Sequence, residues 1–317
     1  MPIFFRLSGA SDDRMRLITA LLIVYIVWGT TYHALNLAMQ TMPPLFMNGT
    51  RFLVAGAVML AIARWQRLPW PTPAQWRHSA LIGGLMVFGA MGMVVMAQKM
   101  GIGSGLMATV VTTMPMWLAL WTRWGGERVP VTSWIGLGLG VMGAAVLALE
   151  GDFSATWLGA LLAFGAPLCW SIGSYASRKL DLPAPAMASA AQWLLGGLMG
   201  AVTAWWLEPA SHSWSPLQMS LTSSLAWLYL VVMGTLVTLN AYLWLLKNAS
   251  PALAGSYSFV NPVVALWVGV ALGGEVLTGQ VFIALPLILL ALACIIYGQP
   301  VWRWLQPRLG LGGLRRA

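Results

Sequence analysis

Charge is what this chain has least of. Only 8% of its 317 residues are Asp, Glu, Lys or Arg while 59% are hydrophobic, against roughly a quarter charged in ordinary soluble domains. A water-facing surface cannot be assembled from that composition, and a soluble globular fold is excluded. Carboxylates number eight, and Asp12, Asp13, Glu127, Glu150, Asp152, Asp181, Glu208 and Glu275 all fall at termini, in loops or at helix ends. An intramembrane aspartyl site, which needs paired Asp inside spans, has no material here. A rhomboid-like serine site fails too, because Gly103-Ser104-Gly105 lacks the first glycine of that motif. The two cysteines, Cys169 and Cys294, lie inside apolar runs with no His or carboxylate at ligand spacing, and read as packing residues. No metal site and no cofactor are expected.

What is abundant is apolar sequence in runs of membrane-spanning length. At about 20 residues per span, helices are predicted near 16–39, 44–64, 78–98, 102–123 and 131–149, and again near 157–177, 185–207, 223–246, 252–272 and 277–298. The first run follows a polar, basic start and lacks a small-residue cleavage site, which makes it a retained helix and not a signal peptide. The net charge of +9 would suggest nucleic acid in a soluble domain; here the basic residues lie between apolar runs instead of on a folded face, so nucleic acid is rejected as a partner. Ten spans place both termini on one side, together with Arg64, Arg67, Arg77, Arg123, Arg128, Arg178, Lys179 and Lys247, and leave only Lys99 opposite. By the positive-inside rule that basic side is cytoplasmic.

The chain also repeats itself. The stretch Asn248 to Glu275 carries Tyr257, Ser258, Asn261 and Pro262 in its first half and ends in Gly-Gly-Glu; Gly103 to Glu127 has a polar first half, Pro115 and the same ending. Proline inside a spanning helix frees a carbonyl that protein or trapped water must satisfy. Two such helices at matching places point to a site between two halves, with Pro115 and Pro262 as kinks on which one half can rock. The expected architecture is all-α and polytopic, with ten transmembrane helices. They form two five-helix repeats, residues 1–150 and 151–300, followed by a basic tail, 301–317. An odd number of helices per repeat forces the second to enter the membrane inverted.

Polar side chains inside spans mark the expected site. On the first helix Tyr25, Trp28, Tyr32 and Asn36 share one stripe, with Trp28 and Tyr32 the preferred contacts. Trp170 and Tyr175 follow Pro167 on the sixth, and Asn240 lies deep in the eighth, where an amide needs a partner or water. Tyr257 and Asn261 are four apart on the ninth and point together. Arg51 is the one arginine inside a span with no carboxylate within a turn. Two readings of it are open: snorkelling to helix-end carbonyls, or receiving a substrate carboxylate. His33 is the only intramembrane side chain that titrates near neutrality and is the candidate proton site, with a hydrogen-bonded helix seam as the alternative. Small residues four apart, as at Gly136 and Gly140 or Gly196 and Gly200, are read as packing within the bundle.

Trp28-Gly-Thr-Thr-Tyr32, Arg51-Phe52, Asn240-Ala-Tyr242, and Ser250-Pro251-Ala-Leu-Ala through Asn261-Pro262 to Gly274-Glu275, in this order and spacing, resemble the EamA family of the drug/metabolite transporter superfamily. The resemblance covers residues 16–298 and implies a multi-pass carrier of the bacterial inner membrane. Such a carrier exports small metabolites, often amino acids, or drugs, by alternating access through a cavity between its repeats. Its partners would be the lipid bilayer and a small-molecule substrate, and it would work as a monomer or homodimer. Asn36 stands where the family often has a basic residue, which affects the substrate class more than the fold. An intramembrane enzyme and a channel are the competing functions. The first lacks a catalytic constellation, and the second lacks a ring of charge or carbonyls.

Overall fold

The computed structural model describes residues 10–102, 107, 110–148, 156–273 and 279–305, and among them helix is the only regular secondary structure. Every one of the ten expected stretches holds a helix. In chain order these are α1 (Ala10–Ala38), α2 (Pro44–Trp65), α3 (Pro73–Lys99), α4 (Met114–Trp124), α5 (Val131–Ala148), α6 (Trp157–Lys179), α7 (Pro185–Leu207), α8 (Leu221–Asn248), α9 in two pieces (Pro251–Gly255 and Tyr257–Gly273) and α10 (Gly279–Leu305). The beginning of the 102–123 stretch and the Gly-Gly-Glu at its second copy lie largely outside the described residues. By length and composition α1, α2, α3, α6 and α8 are long and apolar enough to cross a membrane, and α5 and α10 carry shorter apolar stretches.

The helix starts are written locally. Thr72, Thr156, Ser220 and Ser250 each accept a hydrogen bond from a backbone N–H in the first turn of the helix that follows, and Thr72 forms a reciprocal capping box with Gln75. Pro44, Pro73, Pro185 and Pro251 occupy first-turn positions, where a missing N–H costs nothing.

The helices pack across the two halves of the chain. Helix α2 lies along α7, α5 along α10, α1 against α8 and α9, and α6 against α3 and α4. Adding five to each helix number exchanges α1–α8 with α6–α3 and α1–α9 with α6–α4, and leaves α2–α7 and α5–α10 unchanged. The α2–α7 seam is a backbone contact: a Cβ on Gly49 would lie 2.7 Å from the Ala201 nitrogen, and one on Gly197 would lie 2.9 Å from the Leu53 nitrogen. Gly136, Gly140, Gly196 and Gly200 all meet other helices of the same chain, so the small-residue pairs serve the bundle itself. Trp65, Trp70 and Trp124, at helix ends, are exposed, as interfacial anchors should be.

Two features were not apparent in the sequence. Helices α3 and α8 each contain an eight-residue π-helical stretch, Gly83–Ala90 and Leu230–Val237, at matching distances from their starts. In α8 the widened turns are bridged by side chains reaching five residues back: Thr235 Oγ1 donates to the Leu230 carbonyl (3.0 Å) and Thr238 Oγ1 to the Met233 carbonyl (2.7 Å). The second feature is Glu208, which the sequence placed in a loop and which is only 3% exposed. Helix α2 begins Pro43-Pro44 without a side-chain cap of its own. Its free N–H groups on Leu45 and Phe46 donate to the two Glu208 oxygens at 3.0 and 3.1 Å, and Lys99 approaches to 3.7 Å. One carboxylate therefore joins the start of α2 to the ends of α3 and α7.

Removing that carboxylate strands two buried donors, whereas removing Lys99, half-exposed, leaves the cap in place. Glu208→Ala is expected to lower unfolding stability by about 3 kcal/mol, and Lys99→Ala by about 1 kcal/mol or less. Thermal unfolding of the purified protein in detergent checks this; equal small shifts for both substitutions would mean that the cap does not hold the joint.

Candidate functional site

Four aromatic rings from four helices meet at the centre of the bundle. Trp28 of α1 lies 5.4 Å from Trp170 of α6, 5.1 Å from Tyr242 of α8 and 4.8 Å from Tyr257 of α9, between ring centroids; Trp170 and Tyr257 each pack on Tyr242 at 5.7 and 5.4 Å. Edge-on and tilted arrangements dominate, as ring quadrupoles prefer. Two of the polar tips are anchored to the helices around them, while the buried Trp170 Nε1 has no hydrogen-bond partner among the described residues. Trp28 Nε1 donates to the Gly234 carbonyl in the α8 π stretch (3.0 Å), and Tyr242 shares a hydroxyl hydrogen bond with Ser174 (2.8 Å). Behind this layer, toward the N-terminus of α1, Tyr25 and Ser256 share another at 2.7 Å. Ser256 separates the two pieces of α9, so the interruption of that helix falls before Pro262, at a residue whose hydroxyl donates to the Leu253 carbonyl.

On the other side of the aromatic layer is a cavity enclosing about 660 Å³ of empty space, any open solvent at its rim included. Its wall runs up α1 from Trp28 through Thr31 and Tyr32 to Leu35, with Arg51 and Phe52 of α2, Pro167 and Trp170 of α6, and Tyr257 and Asn261 of α9. Met91, Val94, Val111 and Met114 form an aliphatic flank. Among the described residues no carboxylate lines it. Asn261, with its amide nitrogen donating, bonds the backbone carbonyls of Tyr25 and Tyr257, both at 3.1 Å, and so ties α9 to α1.

Six of the residues singled out in the sequence thus surround one cavity: Trp28, Tyr32, Arg51, Trp170, Tyr257 and Asn261. Others lie elsewhere. Asn240 accepts from Ser189 (2.9 Å) and donates to the Leu236 carbonyl (2.7 Å), which satisfies it within a helix seam. Tyr175 packs beside Gly125 and Lys179. His33 and Asn36 are exposed on α1 and do not line the cavity. Pro115 is buried against Gly255, and Pro262 is buried next to Asn261. Tyr242, two residues from Asn240, was not among the expected site residues, although its hydroxyl too is an intramembrane polar group that needs a partner. Arg51 is 2% exposed and bonded to Thr235, so it does not snorkel.

At the end of the bundle behind the aromatic layer, Glu127 joins α4 to α6. It accepts from Lys179 Nζ at 2.5 Å and pairs with Arg178 at 3.9 Å. The Lys179 hydrogen bond, aided by the charges of Lys179 and Arg178, holds the Glu127 carboxyl below its ordinary value of 4.5. For a depressed carboxylate the stabilisation is complete above the ordinary value and disappears as pH falls through the lowered one. A carboxyl-carbon NMR titration should give a Glu127 midpoint below 4.5 that rises in Lys179→Ala. A midpoint unmoved by that substitution would show that the pair does not form.

Comparison with known proteins bears on the family and the fold. The family model of the "EamA-like transporter family" matches twice, over residues 15–149 and 157–297. The chain is 36% identical to the "Uncharacterized inner membrane transporter YedA" of Escherichia coli over 282 residues, covering 88% of this chain and 90% of that one. It is 29% identical to a "Probable amino-acid metabolite efflux pump" of Salmonella typhimurium, covering 89% and 95%. A solved crystal structure superposes with a TM-score of 0.72 at 23% identity, over 91% of this chain and 98% of the other, and shares the fold.

Proposed function

The chain belongs to the EamA-like transporter family, and from that membership we propose that it is a secondary exporter of small amphipathic metabolites working by alternating access. The observation that carries this reading is the contact of Trp28 with Trp170 beneath the cavity. The two side chains come from the first helix of each family match, so the solute site lies where the repeats meet. The exchange of helix neighbours on adding five to the helix number, and the paired π stretches, support an inverted relation between two five-helix repeats, 1–150 and 151–300, and ten spans in all.

The relatives' names support an inner-membrane location. With both termini in the cytoplasm, as the basic loops favour, the cavity lies on the outer side of the aromatic layer. That layer, the Tyr25–Ser256 bond and the Glu127 ion pairs then form the barrier toward the cytoplasm. Pro115 and Pro262 lie beside the interrupted starts of α4 and α9, where rocking of one repeat on the other would bend the chain. Aromatic faces suit solutes with apolar or cationic parts, and an amide orients polar ends. Amino-acid-like solutes fit both this lining and the name of the Salmonella relative. Because no carboxylate reaches the cavity and His33 lies outside its lining, the solute gradient, or a proton carried on the solute itself, is the favoured driving force over a protein-borne proton.

An unbiased metabolite efflux comparison of cells with and without the protein identifies the solute. With that solute, Trp28→Ala and Asn261→Ala proteins that insert normally are expected to lose about tenfold or more in transport, while Pro262→Ala slows transport with equilibrium binding retained. Wild-type rates and affinities in both cavity variants would move the site elsewhere. Flux that fails to saturate, with ohmic current, would favour a channel instead.

A further inference from the structure

Among the described residues Arg51 is the one charged side chain in the cavity wall. It lies in α2, and its Nε donates to Thr235 Oγ1 of α8 at 2.7 Å. Thr235 in turn donates to the Leu230 carbonyl across the widened π turn, so its hydroxyl is fixed as an acceptor for the guanidinium. Gly234 leaves the room: a Cβ there would lie 3.1 Å from Arg51 Nη2. Phe52 covers the guanidinium at 4.9 Å from its ring centroid. None of the ion pairs among the described residues includes Arg51, and its Nη1, buried, has no hydrogen-bond partner among them. A guanidinium held in place by one hydrogen bond, with a buried Nη1 left unanswered in an apolar setting, is unfavourable unless an anion completes it.

We propose that Arg51, positioned by Thr235, receives the carboxylate of an organic monoanion whose apolar part lies against Trp28 and Tyr257. This rests on the transport reading above and narrows its substrate class. One guanidinium and no second cation in the wall match a single negative charge, whereas a phosphate dianion would lack half its neutralisation. The aliphatic and aromatic remainder of the wall matches an organic body better than a bare inorganic ion. The fork geometry of guanidinium suits the two oxygens of a carboxylate, and charge-assisted bonds of that kind are the strong ones.

The test compares 3-phenylpropionate with 3-phenylpropionamide, alike in size and apolar surface and different in charge, by calorimetric titration of the purified protein. Wild type should bind the carboxylate about tenfold or more tightly than the amide, the ratio expected for one charge-assisted pair. Arg51→Gln should bring the ratio to about one with amide affinity retained. Arg51→Lys and Thr235→Val should each leave a reduced preference, the first lacking the fork and the second the acceptor for Nε. Trp28→Ala should weaken both probes and keep the ratio. Equal affinities in wild type, or no binding of the carboxylate, overturn the inference without any substitution, and so does an unaltered ratio in Arg51→Gln. If Trp28→Ala leaves both probes unaffected while the ratio still depends on Arg51, the anion site stands and the aromatic cavity reading fails. Sodium chloride stabilising the wild type through Arg51 as strongly as phenylpropionate does would make the site one for inorganic anions, and the proposal would fall.

Discussion

A polar group released inside an apolar bundle has no bulk water to turn to, and leaving it unanswered is costly. Much of this architecture follows from that requirement. The start of α2, opened by two prolines, takes its acceptor from Glu208 at the end of α7. The π turns of α8 are bridged by Thr235 and Thr238. The broken start of α9 is held by Ser256, and Asn261 ties its longer piece back to α1. In every case the partner comes from the next turn or from another helix, and the bonds that satisfy local needs also fix how the helices sit against one another.

The two halves use this scheme unequally. Trp28 and Trp170 are counterparts, but the other two rings of the aromatic layer, Tyr242 and Tyr257, belong to the second half. The aliphatic flank formed by Met91, Val94, Val111 and Met114 belongs to the first. Both halves put polar and aromatic side chains on the cavity wall, Trp28, Thr31, Tyr32, Arg51 and Phe52 from the first and Trp170, Tyr257 and Asn261 from the second, but the aliphatic flank is the first half's alone. Charge then enters from the first half through Arg51, while Thr235 of the second half positions it.

Much of the fold was legible in the sequence because run length in a lipid-adapted chain is a strong signal: each stretch of about 20 apolar residues coincides with a helix. Trp28, Tyr32, Tyr257 and Asn261 were legible for a related reason, being polar or aromatic anomalies at helical spacing, the second pair just before Pro262. What escaped depends on partners remote in the chain. Glu208 looks like a loop residue until Leu45, 163 positions away, is brought beside it. Tyr242 and Thr235 gain their roles from Trp28 and Arg51 across the bundle, and Asn240, which looked similar, found its partner in Ser189 and left the cavity. The π stretches left no mark, because Gly83–Ala90 and Leu230–Val237 read as ordinary apolar helix. Only the tertiary contacts of Gly83 and the back-bonding of Thr235 distinguish them.

Those two π stretches also carry a record of descent. A turn closed five residues back, where its neighbours close four back, holds one residue more than the flanking helix requires, which is the trace an inserted residue leaves. The same surplus at corresponding depth in α3 and α8 is most simply one event inherited twice. The insertion would then be older than the duplication, and the ancestral five-helix unit already carried the widened turn. What differs between the halves, the threonines of α8 and the second-half tyrosines, would then date from after the duplication, gained in one copy or lost from the other.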